Sequence, residues 1–134
     1  MEKLSPLTDL TGKRVIVCED EGIMLMQLKR ILTQAGLLVV GVADNGETAI
    51  DVVRCERPDL VLMDIRMPKM DGLTAAEHIL GSQSVCIVML TAFSEESYRQ
   101  QAREIGACGY IVKPVVRDNL LPQLMAAYEL FRQR

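Results

Sequence analysis

The chain lacks the features that would commit it to a membrane, a nucleic acid or an oxidising compartment. No apolar run approaches the roughly 20 residues needed to cross a bilayer. The opening Met1-Glu2-Lys3-Leu4-Ser5-Pro6-Leu7 has no apolar stretch of signal-peptide length. A cytoplasmic location without a membrane partner is therefore expected. No cluster of lysine and arginine is present and the formal net charge is -3, which opposes direct binding of nucleic acid through a basic stripe. The four cysteines, Cys18, Cys55, Cys86 and Cys108, are dispersed with no Cys-x-x-Cys pair. That spacing gives little support to metal ligation or a redox dithiol, and reduced, mostly buried thiols are expected. Low-complexity tracts and internal repeats are also missing. The single histidine, His78, lies off the apolar stripe of its segment, so an exposed helix position is favoured over a ligand or base.

What is present is an ordinary globular composition, 49% hydrophobic and 25% charged over 134 residues, enough for one domain with one full core. The organising stretch is Pro58-Asp59-Leu60-Val61-Leu62-Met63-Asp64-Ile65-Arg66-Met67-Pro68. A short apolar run between prolines reads as a strand covered on both faces, as in a parallel sheet. Ligands of such sheets bind beyond the carboxyl ends of the strands, where Asp64 lies. An aspartate there also serves as a turn cap, so the stretch alone leaves two readings.

The rest of the chain alternates in the same way. Strands are read at Arg14–Cys18, 37–42, 85–90 and 109–112. The first runs into three acids, Glu19-Asp20-Glu21. Met24, Leu28, Ile31 and Ala35 stripe the first helix, which Gly36 stops. Asn45 caps the second, with Ala49, Ile50 and Val53 facing inward. Asp71-Gly72 opens the third, with Leu73, Ala76, Ile79 and Leu80 as its stripe. Ser94 is the expected cap of the fourth, which buries Tyr98, Ala102 and Ile105. The last helix is read from about Asn119, which would place Pro122 in its first turn, where a missing N–H is not needed.

Five β/α units in succession imply a doubly wound parallel sheet in a three-layer α/β/α sandwich with right-handed crossovers. Strand order 2-1-3-4-5, the flavodoxin-like arrangement, is adopted from the general class of such small folds. A lead over residues 1–13 and one domain over 14–134 are expected. In that order Glu19, Asp20 and Asp64 converge, with Thr91 and Lys113 on the ends of the next two strands. Three carboxylates in one crevice call for a cation, and hard oxygen donors suit Mg²⁺ or Mn²⁺. Asp64 would be a nucleophile toward a phosphoryl group, with Thr91 and Lys113 holding its oxygens.

On Val15-Ile16-Val17-Cys18-Glu19-Asp20-Glu21, Asp64-Ile65-Arg66-Met67-Pro68-Lys69-Met70-Asp71-Gly72, Leu90-Thr91-Ala92 and Gly109-Tyr110-Ile111-Val112-Lys113-Pro114, the chain resembles the receiver domains of two-component response regulators. The resemblance implies that Asp64 accepts a phosphoryl group from a sensor histidine kinase or phosphotransfer protein. It implies Mg²⁺ held by Asp20, Asp64 and the backbone carbonyl of Arg66, with Glu19 acting through water. Thr91, Ala92 and Lys113 would bind the phosphoryl group, Thr91 and Tyr110 would form the switch, and the Lys113-Pro114 bond would often be cis.

Glu19 stands where Asp is more usual in that family, and Arg66 and Phe93 are bulky at positions flanking the phosphoryl site. The run Asp118-Asn119-Leu120-Leu121-Pro122-Gln123-Leu124 resembles receivers that precede an RNA-binding antitermination domain. Expected partners are accordingly the kinase, a downstream effector or output domain, and a second copy of the chain in a homodimer. The signal would be read on the face of the fourth helix, fifth strand and fifth helix. No enzymatic turnover is expected beyond the domain's own phosphoryl transfer and dephosphorylation.

Three other readings compete. A flavin carrier of this fold needs a phosphate loop free of acids after the first strand, which Glu19-Asp20-Glu21 denies. An aspartyl phosphatase wants a carboxylate where Arg66 stands. A receiver-shaped interaction module that no longer takes phosphate is the remaining alternative.

Overall fold

The computed structural model describes residues 9–134, so the lead expected over 1–13 lies largely outside the described residues. Five strands, β1 (Arg14–Cys18), β2 (Leu38–Ala43), β3 (Leu60–Met63), β4 (Cys86–Thr91) and β5 (Gly109–Val112), alternate with five helices. These are α1 (Gly22–Gln34), α2 (Gly46–Glu56), α3 (Gly72–Leu80), α4 (Glu96–Ile105) and α5 (Arg117–Arg132). All strand pairs are parallel, as the β/α alternation implies, and the order is β2-β1-β3-β4-β5, the one adopted from the class.

The apolar runs become central strands because both of their faces are covered. One layer of core joins Val15, Val17, Leu60, Leu62, Val88 and Leu90 to Leu28 and Leu32 of α1 and Leu120 and Leu124 of α5. The other joins Ile16, Val61, Met63, Ile87 and Met89 to residues of α2, α3 and α4, among them Val53, Ile79 and Ala102. Every residue of β3 and β4 is buried. Each large aliphatic side chain so placed contributes about 1.5–3 kcal/mol relative to exposure.

Local chemistry sets the helix ends. Asn45 Oδ1 accepts the Thr48 N–H at 2.9 Å and Asp71 Oδ1 accepts the Thr74 N–H at 2.8 Å, the capping expected of these residue types. Gly106, at φ +100°, closes α4 in the left-handed region. His78 is exposed on α3.

Two helix starts differ from the sequence reading. Ser94 does not cap α4, which begins at Glu96 after Glu95 with no side-chain cap. The loop before it is held elsewhere, the Phe93 N–H on Thr91 Oγ1 at 3.3 Å and the Phe93 carbonyl by the Tyr110 hydroxyl at 2.5 Å. Helix α5 begins at Arg117, so Pro122 sits inside it rather than in the first turn. Asn119 works from within the helix, its Oδ1 accepting the Val116 N–H at 2.8 Å. Pro122 and Asp118 are both exposed, so water can serve the Asp118 carbonyl that the proline leaves without an amide donor.

Candidate functional site

The register of the sheet gathers the carboxyl ends of β1, β3, β4 and β5. Beyond β1, the Glu19 N–H donates to the Ala43 carbonyl at 2.9 Å, and beyond β3 the Asp64 N–H donates to the Cys18 carbonyl at 3.0 Å. Each acid is thus fixed one step past its strand by a continued ladder. Thr91 is the last residue of β4, and the Lys113 N–H donates to its carbonyl at 2.8 Å. The Lys113-Pro114 peptide is cis, as the resemblance implied.

Lys113 Nζ lies 2.9 Å from Glu19 Oε1 and 3.2 Å from Asp64 Oδ2. Glu19 is 1% exposed and Asp64 6%, so one cation bridges two carboxylates taken almost wholly out of water. The other Glu19 oxygen accepts the Glu21 N–H at 3.1 Å. Burial, and then the negative charge of Glu19, push the Asp64 carboxyl up to about 6, although Lys113 pulls it the other way and the Arg66 N–H also bonds the carboxylate. Burial and like charge outweigh the ion pair here. For Lys113 the balance is reversed. Burial opposes its charge, but the hydrogen bond from Lys113 to Glu19 and the charges of Asp64 and Glu19 outweigh it and hold the ammonium above its ordinary range.

Asp20 is exposed, and one oxygen each from Glu19, Asp20 and Asp64 lie within 4.8 Å of one another. An all-carboxylate set of this spacing, with one member open to solvent, fits a small hard divalent cation that keeps water ligands. A cleft of about 230 Å³ opens over it, lined by Asp20, Asp64, Arg66, Thr91, Ala92 and Lys113, among others. All the residues expected at the site therefore meet here except Tyr110, which lies one strand-length back. Tyr110 is half-buried, with its hydroxyl on the Phe93 carbonyl and the Arg99 guanidinium 4.7 Å from its ring centre. Burial holds its phenol above the ordinary range.

Several features of the site have no separate signal in the sequence. The Arg66 guanidinium sits 4.6 Å from the centre of the Phe93 ring, so two side chains from different loops close one side of the cleft together. Both also line a larger groove of about 390 Å³ between α3 and α4, which contains none of Glu19, Asp20, Asp64, Thr91 or Lys113. Gly72 is a positioning residue, since a Cβ there would collide with the Asp64 carbonyl. The Asp-Gly pair that signals the start of α3 hints at this only as a turn.

A doubly wound sheet of this order, charged in this way at its carboxyl edge, defines the class of signalling domains built around a strand-end aspartate. The chain belongs to the response regulator receiver domain family, whose model matches residues 15–125. It is 38% identical over 131 residues to the transcriptional regulatory protein PdtaR of Mycobacterium tuberculosis, covering 96% of this chain and 64% of that regulator. It is also 38% identical to the chemotaxis protein CheY of Bacillus subtilis, covering 81% of this chain and 91% of CheY. Among solved structures, CheY of Borrelia burgdorferi, in a complex with CheX, BeF3 and Mg²⁺, matches with a TM-score of 0.85 at 29% identity, over 88% of this chain and 90% of that one. The chain therefore spans somewhat under two thirds of PdtaR and most of the chemotaxis proteins. Aspartyl phosphate and Mg²⁺ are general properties of the family, whose members are signal-transduction domains and generally not enzymes.

Proposed function

We propose that this domain is a phosphorylation-dependent switch in which Asp64 is the phosphoacceptor. The observation that carries the reading is the bridging of Lys113 between buried Glu19 and Asp64 inside a cleft shared with Asp20 and Thr91. An Asp64 oxygen attacks the phosphorus of a phosphohistidine, the P–N bond breaks, and the imidazole leaves with the electron pair. Mg²⁺ or Mn²⁺, held by Asp20, Asp64 and the Arg66 carbonyl with Glu19 through water, would supply the positive charge that lets two anions meet. Lys113 moves its ion pair from the Asp64 carboxylate to a phosphoryl oxygen, while Thr91 and the backbone of Ala92 take others.

The donor is a sensor histidine kinase or phosphotransfer protein in the cytoplasm. The recipient is a downstream effector or output domain, with an RNA-binding antitermination domain as the first candidate and a second copy of this chain as another. The unit doing this spans 14–134 after a short lead, and it performs no turnover beyond its own phosphoryl transfer and dephosphorylation. When the Thr91 hydroxyl turns to the phosphoryl group it releases the Phe93 N–H it now accepts. That loosens the loop whose carbonyl holds Tyr110 and frees the ring to move inward, so the α4, β5 and α5 face is where the state is read.

Incubation with acetyl phosphate and Mg²⁺, followed by intact mass measurement, tests the reaction. One phosphoryl adduct is expected, lost in Asp64→Asn and on chelation, and weakened more by Asp20→Asn than by Glu19→Gln. No adduct on the wild type would leave an interaction module that does not take phosphate. NMR of the beryllofluoride-bound domain tests the readout, and shifts confined to the Asp64 pocket would remove Tyr110 from it.

A further inference from the structure

Far from the phosphoryl cleft, at the amino ends of β4 and β5, the fold brings together two thiols that the sequence keeps apart. Cys86 is the first residue of β4 and Cys108 immediately precedes β5. The Cys108 N–H donates to the Ile87 carbonyl at 2.8 Å, which fixes Cys108 beside the neighbour of Cys86. Both side chains belong to the same core layer, at the starts of two paired strands. The two differ in access, with Cys86 at 0% exposure and Cys108 at 8%. The Arg134 guanidinium donates to the Gly106 carbonyl, two residues before Cys108, at 2.9 Å, which brings a positive charge to this end of the sheet.

The other two cysteines serve as internal controls. Cys18 lies in the opposite core layer, where burial pushes its thiol up to about 12. Cys55 is exposed on α2, and no second cysteine belongs to that helix. In the pair, the hydrogen bond from Cys86 and the charge of Arg134 outweigh burial and bring Cys108 down to about 7, while Cys86 is raised. The less buried of the two cysteines is thus the one favoured as thiolate, with its protonated partner in the same core layer. A nucleophilic thiolate poised beside a resolving thiol is the arrangement of redox-responsive cysteines.

We propose that Cys86 and Cys108 form a reversible dithiol–disulfide pair that responds to hydroperoxides. The Cys108 thiolate attacks a peroxide oxygen, the O–O bond breaks, and the departing oxygen takes a proton, leaving a sulfenic acid on Cys108. The Cys86 sulfur then attacks the Cys108 sulfur. The S–O bond breaks and hydroxide leaves with the Cys86 proton as water. The two electrons given up by the sulfurs reduce the peroxide, and a thiol reductant returns them. The product staples β4 to β5, whose far ends carry Thr91 and Lys113. This inference does not depend on the phosphoryl reading.

The test uses the whole chain as Cys55→Ser, to prevent cross-linking between molecules, treated with hydrogen peroxide and digested without reduction. A loss of about two mass units, the two thiol hydrogens, and a peptide linking Cys86 to Cys108, both reversed by dithiothreitol, are expected. Cys86→Ser in that background should stop at a sulfenic acid on Cys108 that dimedone captures. Circular dichroism identifies a variant that fails to fold, and the cross-link in the parent then decides alone. Absence of the cross-link in the folded parent overturns the proposal, as does a disulfide from Cys86 to Cys18 formed in its place or dimedone capture at Cys18 in place of Cys108.

Discussion

At the amino end of the sheet Arg14 ties β1 to the end of α2, its guanidinium on Glu56 Oε1 at 2.9 Å and its backbone N–H on Asp59 Oδ2 at 2.8 Å. Both charged side chains there remain more than a third exposed. At the carboxyl end, Lys113 faces two carboxylates that are almost wholly buried. The first arrangement keeps its hydration and adds little to stability. The second strips water from like charges and leaves one of them, Asp64, with a raised pKa. Perturbed groups of this kind cluster at functional sites, and the hydrophobic layers on the two faces of β3 and β4 offset the cost.

The contrast breaks most severely on removal of the shared cation. Lys113→Met should destabilise the metal-free domain by about 3–5 kcal/mol at pH 7, since it leaves two buried carboxylates unpaired; urea unfolding measures this, and added Mg²⁺ should recover part of the loss. An unchanged midpoint would show that the carboxylates are hydrated.

Asp64→Asn should act in the other direction, stabilising the metal-free fold by about 1–3 kcal/mol at pH 7. The folded Asp64 titrates near 6 against an ordinary 3.8, so between those values the folded state binds more protons than the unfolded. Wild-type stability therefore falls as pH rises through that window, and its cost is complete above it. The variant cannot ionise, so its advantage should vanish near pH 4, and a gain constant with pH would contradict the charge argument.

The Arg66–Phe93 wall gives a kinetic comparison. Replacing both with alanine should open the path of water to the phosphoryl group and shorten the phosphorylated lifetime about tenfold, equivalent to 1.4 kcal/mol of barrier. A half-life unchanged or longer, followed by intact mass, counts against steric shielding. The smallest effect belongs to the amino end, where Glu56→Gln should cost under about 1 kcal/mol and respond to salt.

The sequence by itself determined the elements and most of the residue types at the site. Apolar runs such as Leu60–Met63 and the caps Asn45 and Asp71 are local signals, legible within a few residues, and the α/β alternation restricts topology. The same locality explains the two misplaced helix starts. What holds the loop before α4 is the distant hydroxyl of Tyr110, and a proline inside α5 is tolerated because its face is wet.

Only the tertiary structure decided which groups meet. Lys113 and Glu19 are 94 positions apart, and their ion pair, like the clash that reserves Gly72 for glycine beneath Asp64, exists only once strand register is set. The cysteines show the same limit. Read by spacing they are expected to be reduced and mostly buried, as they are, but that Cys86 and Cys108 share one core layer at the starts of two paired strands depends on the pairing of β4 with β5. Periodicity and capping are properties of neighbouring residues, whereas burial, shared charge and contact between strands depend on how the whole chain packs.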